Sequence, residues 1–320
     1  MSKIIILHNK IQNNTEDEID VLAQRDLVQA VCQKLGHEVS SASVGDDIYT
    51  DLKKIQSQSP DIIFNLVESG WGKGELLYVA PALLNALKIP YTGVPLDALF
   101  LTTNKVLAKK MMRLHHIPTA DFYAIGEINR LTPEKTYIVK PIWEEASVGI
   151  DTDSVFTLKE TSKVEKLKKL SSSHYFIEEY IEGREFNISL LATENGHEVL
   201  PPAEMIFSSY FDDKPKVVGY KAKWDETSEE YKQTNRRFGT LDDNGLLKNM
   251  ILQSCDLCWN SFNLHGYVRV DLRVDDNNQP YILEINGNPC ISNDSGFVAA
   301  LNEAGYHHEY MIKQILKDLN

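Results

Sequence analysis

Residues 266–289, GYVRVDLRVDDNNQPYILEINGNP, constrain the fold of this chain more than any other stretch. Two apolar runs that alternate with polar residues flank DDNNQ, a run of turn-forming side chains. The segment is therefore expected to be a β-hairpin. Side chains on a strand alternate between faces, so Arg269, Asp271 and Arg273 share one face of the first strand. By the same rule Ile282, Glu284 and Asn286 share a face of the second. A register that pairs Asp271 with Glu284 gathers Arg269, Asp271, Glu284 and Asn286 on one patch. Two opposed carboxylates require a counter-charge. A hard divalent cation supplies one through oxygen-only ligands, and two carboxylates with an amide suit Mg²⁺ better than zinc. Gly-Asn-Pro then stops the strand and leaves this patch at its open end. The competing reading is a solvated sheet face with a surface salt bridge to Arg269.

Mg²⁺ with oxygen ligands keeps company with phosphates, and phosphates take lysines as point charges. Lys140 ends the apolar strand YIVK just before Pro141. Lys105 lies in TTNKVLAKK and Lys223 in YKAKWDE. Taken singly, each also reads as a surface lysine. Together with the hairpin they point to a phosphate-bearing ligand.

Upstream, roughly the first 95 residues alternate strand and helix, which predicts a small parallel sheet with helices on its faces. KIIIL and DIIFNLV are the strands. VLAQRDLVQAVCQKLG is helical, with Leu27, Val31 and Leu35 in i, i+4 register and Gly36 as its stop. ELLYVAPALLNALKI is a second helix despite Pro81 in its first half. Between strand and helix, ESGWGKGE carries Gly70, Gly72 and Gly74. Their spacing fits neither the dinucleotide fingerprint nor a Walker A loop, so a flexible, substrate-facing loop is expected. The middle of the chain holds a lysine-rich helix, the strand KTYIVKPIW, a strand and charged helix in SVFTLKETSKVEKLKKL, and two strands about a turn in HYFIEEYIEGREFNISLLA. Residues 208–243 have weak periodicity, as expected equally of a mobile active-site loop and of an ordered surface excursion. The chain closes on the helix GYHHEYMIKQILKDL.

A net charge of -13 argues against non-specific nucleic-acid binding, so an anionic ligand needs a local positive pocket. No apolar run approaches the roughly 18 residues of a membrane span, and the four-residue apolar run in MSKIIILHNK is too short for the apolar core of a signal peptide. A cytosolic protein is expected. Cys255 and Cys258 form a C-x-x-C, but late in an apolar helical run rather than at a helix N-terminus, so both are read as core.

The motifs NK (104–105), VKP (139–141), SVGI (147–150), IEEYIEGREF (177–186), AKW (222–224), VRVD (268–271) and LEINGNP (283–289) occur in that order and spacing. From IPYTG at 89–93 to the C-terminus, the chain resembles the ATP-grasp enzymes of the D-alanine–D-alanine ligase family. The resemblance implies an α/β (α+β ATP-grasp) fold of three subdomains. These are a substrate-side domain over 1–97, a central ATP-grasp subdomain over 98–186 and a catalytic subdomain over 187–320. It implies that Lys105 and Lys140 contact the α- and β-phosphates of ATP, that Ser147 and Gly149 close over them, and that Lys223 reaches the γ-phosphate. Glu178 and the Ile181 backbone would meet adenine, and Glu185 the ribose. Asp271, Glu284 and Asn286 would bind two Mg²⁺ ions, with Mn²⁺ able to substitute. Arg269 and the backbone N–H near Cys290 would stabilise an oxyanion, with Ser295 and Gly296 holding the second substrate's carboxylate. The implied reaction joins a carboxylate to an amine through an acyl phosphate, on small amino acids or peptides, in a homodimer.

The sequence departs from that family where the first amino acid should bind. HNKIQNNTEDEID follows the first strand, with Glu16 and Glu18 at unmatched spacing, and VESGWGKGE replaces the usual Gly-rich stretch. Ala146 stands for a serine, Trp224 for a tyrosine and Cys290 for a glycine. Glu68, Glu144 and Glu145 are acidic candidates for a substrate amine. The same fold acting on another amino acid or peptide is the first alternative. A non-catalytic ATP-binding protein and a dinucleotide-dependent oxidoreductase are the others.

Overall fold

The structure, a computed structural model, describes residues 1–12, 15–143, 147–243 and 245–320. Three sheets organise it. The first is parallel, in the order β2-β1-β3, built from β1 (Lys3–Asn9), β2 (Glu38–Val44) and β3 (Ile62–Leu66). Central β1 buries Ile4 through Leu7 completely, as expected for a strand covered on both faces. Helix Glu16–Lys34 packs beside it and gives way to Gly36 at φ 86, the left-handed region glycine enters freely. Sequence pattern missed β2, whose EVSSASV is mostly small and polar because it forms the sheet edge.

The second predicted helix is shorter than its apolar run. A 3-10 turn spans Gly74–Leu76 and the α-helix spans Val79–Leu87, which places Pro81 in the first turn, where a missing N–H costs nothing. The lysine-rich helix is in fact two, Leu96–Thr103 and Lys105–Leu114. Asn104 breaks them with an extended backbone and caps the second, its Oδ1 accepting from the Leu107 N–H at 2.9 Å. The break turns Lys105 inward, and it is 5% exposed.

The second sheet is antiparallel, in the order β4-β7-β5-β6, from β4 (Phe122–Ala124), β5 (Thr136–Pro141), β6 (Val155–Thr157) and β7 (Tyr175–Glu179). The third has the path β11-β10-β8-β12-β13, with β9 on β8. Its strands are β8 (Arg184–Thr193), β9 (Gly196–Val199), β10 (Ala203–Phe207), β11 (Thr234–Arg237), β12 (Tyr267–Val274) and β13 (Pro280–Gly287). Residues 208–243 form an ordered excursion: a 3-10 turn, the short helices Tyr220–Trp224 and Glu229–Lys232, and β11 itself.

The hairpin of β12 and β13 has the expected register, Asp271 opposite Glu284 and Arg269 opposite Asn286. One expectation needs correction. A bulge follows, so that Leu272 pairs with Ile282 and Leu283 is the extra residue. Ile282 therefore joins the core at 0% exposure, on the face opposite Glu284, while Leu283 turns to the cavity. Behind this sheet, helix Leu246–Ser261 buries Cys255 and Cys258 in the same core as Val268, Val270 and Leu272. Burial pushes both thiols up, that of Cys258 to about 12, so neither is a reactive thiolate. Among the described residues, no helix is long and apolar enough to cross a membrane.

Candidate active site

A cavity of about 980 Å³ draws its lining from all three sheets. Strands β5, β7, β8, β12 and β13 present polar side chains to it, and the loop after β3 closes one end. Of the residues singled out from sequence, Glu68, Lys140, Ser147, Glu178, Ile181, Glu185, Lys223, Arg269, Asp271, Glu284, Asn286, Cys290, Ser295 and Gly296 all line it. Lys105 and Gly149 do not, although Lys105 Nζ lies 3.3 Å from Glu284 Oε2. Glu144, Glu145 and Ala146 lie outside the described residues.

The carboxylate–amide patch is tightly bonded. Arg269 forks onto Asp271 with two 2.7 Å hydrogen bonds, and Asn187 and Asn286 donate to the same carboxylate at 2.9 and 3.0 Å. Burial pushes the Asp271 carboxyl up, and Glu284 across the ladder adds to this. Burial works the same way on Glu284, but Lys105, Lys140, Arg269 and Lys223 outweigh it and hold that carboxyl well below the usual range. Among the described residues, no group of three or more His, Cys, Asp or Glu side chains stands ready for a metal. A cation here would rest on two carboxylates and one amide oxygen, a donor set that suits Mg²⁺ better than zinc. The Asn286 amide turns its NH₂ toward Asp271, and a half-turn of that amide exchanges it for the oxygen.

Next to this patch stands a buried triad that the sequence did not disclose. Glu178, 1% exposed, is ion-paired with Lys109 and with Lys140, the latter at 2.6 Å. Burial opposes ionisation of Glu178, yet the two ammonium groups prevail and lower its pKa. Burial lowers the pKa of Lys109 against the pull of Glu178, and Lys140 adds to that. Lys109 also donates to Thr119 Oγ1 at 2.8 Å. Its available signal was spacing: it lies one helical turn from Lys105, on the same face of helix Lys105–Leu114.

Arg273 is a second residue whose role the sequence left open. Its guanidinium, buried, donates twice to Glu185 Oε2 at 2.8 and 3.0 Å and once to the Ile181 carbonyl at 2.8 Å. It also bonds the Lys216 carbonyl and lies over the Tyr180 ring, 4.7 Å from its centroid. The expected base-and-ribose residues thus form one cross-linked unit with the segment leading to Lys223. Ser147 Oγ donates to the Val218 carbonyl at 2.8 Å, tying its loop to the same segment. Lys223 itself has its pKa lowered by burial and by Arg269.

At the other end, Ser295 caps helix Gly296–Glu303, its Oγ accepting from the Val298 N–H at 3.2 Å. The Arg236 guanidinium lies beside Gly296, where a Cβ would come within 3.3 Å of it, and lines the cavity. The N-terminal wall is held by Gln24, whose Nε2 donates to Asp20 Oδ2 and Glu68 Oε1, each at 3.0 Å. Gln24 Oε1 accepts from the Ile291 N–H, and Cys290 Sγ donates to Asp20 Oδ2 at 2.9 Å. Glu18 lines this wall, while Glu16 only opens the helix.

Residues 131–317 match the sequence family described as D-ala D-ala ligase C-terminus, more than half of the chain. The chain belongs to that family. As a D-Ala–D-Ala ligase-like ATP-grasp protein it is an ATP-dependent ligase, with ATP as its nucleotide. A D-alanine–D-alanine ligase of Aquifex aeolicus is 28% identical over 95% of this chain and 96% of its own length. An uncharacterized protein, y4sG, of Sinorhizobium fredii is also 28% identical, over 91% of this chain and 85% of its own. In fold, the chain resembles the D-alanine–D-alanine ligase of Bacillus anthracis solved in complex with ATP. That likeness has a TM-score of 0.74 at 18% identity and covers 99% of this chain and 97% of the other. The VanG D-Ala:D-Ser ligase of Enterococcus faecalis gives a TM-score of 0.71 at 14% identity, over 99% of each chain.

Proposed function

We propose that this ligase joins the carboxylate of one amino acid to the amine of another through an acyl phosphate. The observation that carries the reading is the hairpin patch, where Asp271 and Glu284 oppose each other within reach of Lys105, Lys140, Lys223 and Arg269. A carboxylate oxygen of the first substrate attacks the γ-phosphorus of ATP, the bond to the β–γ bridging oxygen breaks, and ADP leaves. The neutral amine of the second substrate then attacks the acyl carbon. The C–O bond to phosphate breaks, and the amine proton leaves with phosphate or to solvent.

Lys105 and Lys140 take the α- and β-phosphates, exchanging their carboxylate partners for phosphate oxygens, and Lys223 takes the γ-phosphate. Ser147 and Gly149 lie over the phosphates. Glu178, Ile181 and Glu185 hold base and ribose. Asp271, Glu284 and Asn286 would hold Mg²⁺ as two ions, which would supply positive charge against the transferring phosphoryl group. Arg269 and the Cys290 N–H receive the developing oxyanion, an arrangement that works through fixed dipoles and charge. Ser295 and Gly296 hold the second substrate's carboxylate, and Glu68 faces the first substrate's amine. Residues 1–97 act as the first-substrate side, with 98–186 and 187–320 clamping ATP in a cytoplasmic homodimer.

Its relatives' names make D-alanine the first substrate to try. The replaced loops at 9–20 and 67–75 favour another amino acid or a peptide. The acyl phosphate is tested by ¹⁸O in the first substrate's carboxylate: one labelled oxygen should appear in released phosphate. Unlabelled phosphate alongside a formed amide would contradict the mechanism.

A further inference from the structure

The cavity runs past its phosphate end onto the N-terminal wall, and one residue there has no part in the chemistry described so far. Trp71 is 45% exposed and lines the cavity. Gly70 and Lys73 exchange both backbone hydrogen bonds, at 3.1 and 2.9 Å, around a two-residue turn. Trp71 sits in that turn at φ 51 and Gly72 at φ 69. Both positions are left-handed, so the turn favours Gly or Asn at each, and a bulky side chain at the first is strained. The indole is also fixed, since Nε1 donates to the Asp46 carbonyl at 2.6 Å. A large ring held on strained backbone, with its one polar atom satisfied and its surface open to the cavity, is positioned for contact.

A second observation comes from the same cavity lining. Gln24, 2% exposed, bridges Asp20 and Glu68 through one amide group and accepts from the Ile291 N–H. Asp20 in turn accepts from Cys290 Sγ at 2.9 Å, so its carboxylate stands beside the turn assigned to the oxyanion. In an α-amino acid the ammonium lies two bonds from the carboxyl carbon. One molecule can therefore place its carboxylate at that turn, its ammonium on Asp20 and Glu68, and its side chain along the wall. Glu68 and Trp71 lie three residues apart in one segment of this lining, so a side chain longer than methyl can run from the ammonium site toward the ring.

We propose that the first substrate is an α-amino acid with a bulky apolar side chain, its ammonium on Asp20 and Glu68 and its side chain laid on Trp71. The inference rests on the ligase reading above. It is tested by ATP-dependent phosphate release with Mg²⁺ across alanine, leucine and phenylalanine in both configurations, each amide confirmed by mass. The wild-type chain and its Trp71→Gly and Trp71→Phe variants are compared. Glycine accepts the left-handed backbone at position 71, so Trp71→Gly removes the ring without straining the turn. The expected wild-type kcat/KM for the bulky class exceeds that for alanine at least tenfold. Trp71→Gly lowers that ratio tenfold or more, and Trp71→Phe retains most of it. A wild-type preference for alanine, or a ratio that Trp71→Gly leaves in place, overturns the inference and leaves the ligase reading standing. If ATP binds and no member of the series gives an amide, the inference falls, and the wider panel of amino acids and dipeptides decides the ligase reading.

Discussion

The two ends of the cavity are assembled on different principles. At the phosphate end, charge meets charge: Arg269 on Asp271, Lys105 on Glu284, Lys109 and Lys140 on Glu178. At the N-terminal end, an amide and a thiol hold the carboxylates of Asp20 and Glu68, and a tryptophan faces the open space. The first arrangement fixes each charged group before a ligand arrives, so phosphate binding, on the reading proposed above, would be an exchange of partners with little reorganisation. The second turns carboxylates and an aromatic ring to one wall. On the proposed reading, one end would be set by chemistry common to ATP-dependent ligases and the other by the identity of a particular substrate.

The comparison breaks most readily at the phosphate end. Glu284→Gln removes a carboxylate from the hairpin patch, and turnover should fall by about 10³ or more, with far-UV circular dichroism and unfolding retained. Phosphate release within tenfold of wild type would remove the metal assignment. Lys109→Met strips one partner from a buried carboxylate and should cost about 3–5 kcal/mol in denaturant unfolding. A loss below about 1 kcal/mol would mean that Glu178 draws its support from Lys140 alone.

Smaller effects sharpen the contrast. Arg273→Met loosens Glu185 and the segment leading to Lys223, and KM for ATP should rise about 10-fold while kcat changes less. A change in kcat alone would place Arg273 outside nucleotide binding. Desolvation of the half-buried Lys223 and the positive charge of Arg269 lower its pKa below the ordinary lysine value of 10.5. Its charge is present at low pH and lost as pH rises through the lowered pKa, so activity should fall on the alkaline side before an ordinary lysine would titrate. In Lys223→Arg that limb should move to higher pH, because arginine stays protonated. Cys258→Ala should cost about 1 kcal/mol of stability and leave activity intact, since the thiol belongs to the core. Lost activity there would reopen the C-x-x-C as a functional pair.

How far the sequence was legible follows the same division. The pairing of Asp271 with Glu284 could be read because strand periodicity and charge balance both demanded it. The bulge at Leu283 could not, since it is a backbone event with no side-chain signature, and it reversed the expected side of Ile282. Lys105 and Lys140 stand in motifs, whereas the sequence marks Lys109 only as one more helical lysine, because the inward turn of that face depends on the helix break at Asn104. The N-terminal wall was hardest to read. Gln24 joins residues 4 and 44 positions away and reaches Ile291 across the whole chain, a contact set no local pattern predicts.

The most direct test of the whole account is ATP-dependent phosphate release with Mg²⁺ over a panel of D- and L-amino acids and dipeptides, with products weighed by mass spectrometry. The expected result is ADP, phosphate and a new amide, with at least one substrate other than alanine preferred. ATP binding without amide from any of them would contradict the assignment of Arg269, Asp271, Glu284 and Asn286 to ligase chemistry.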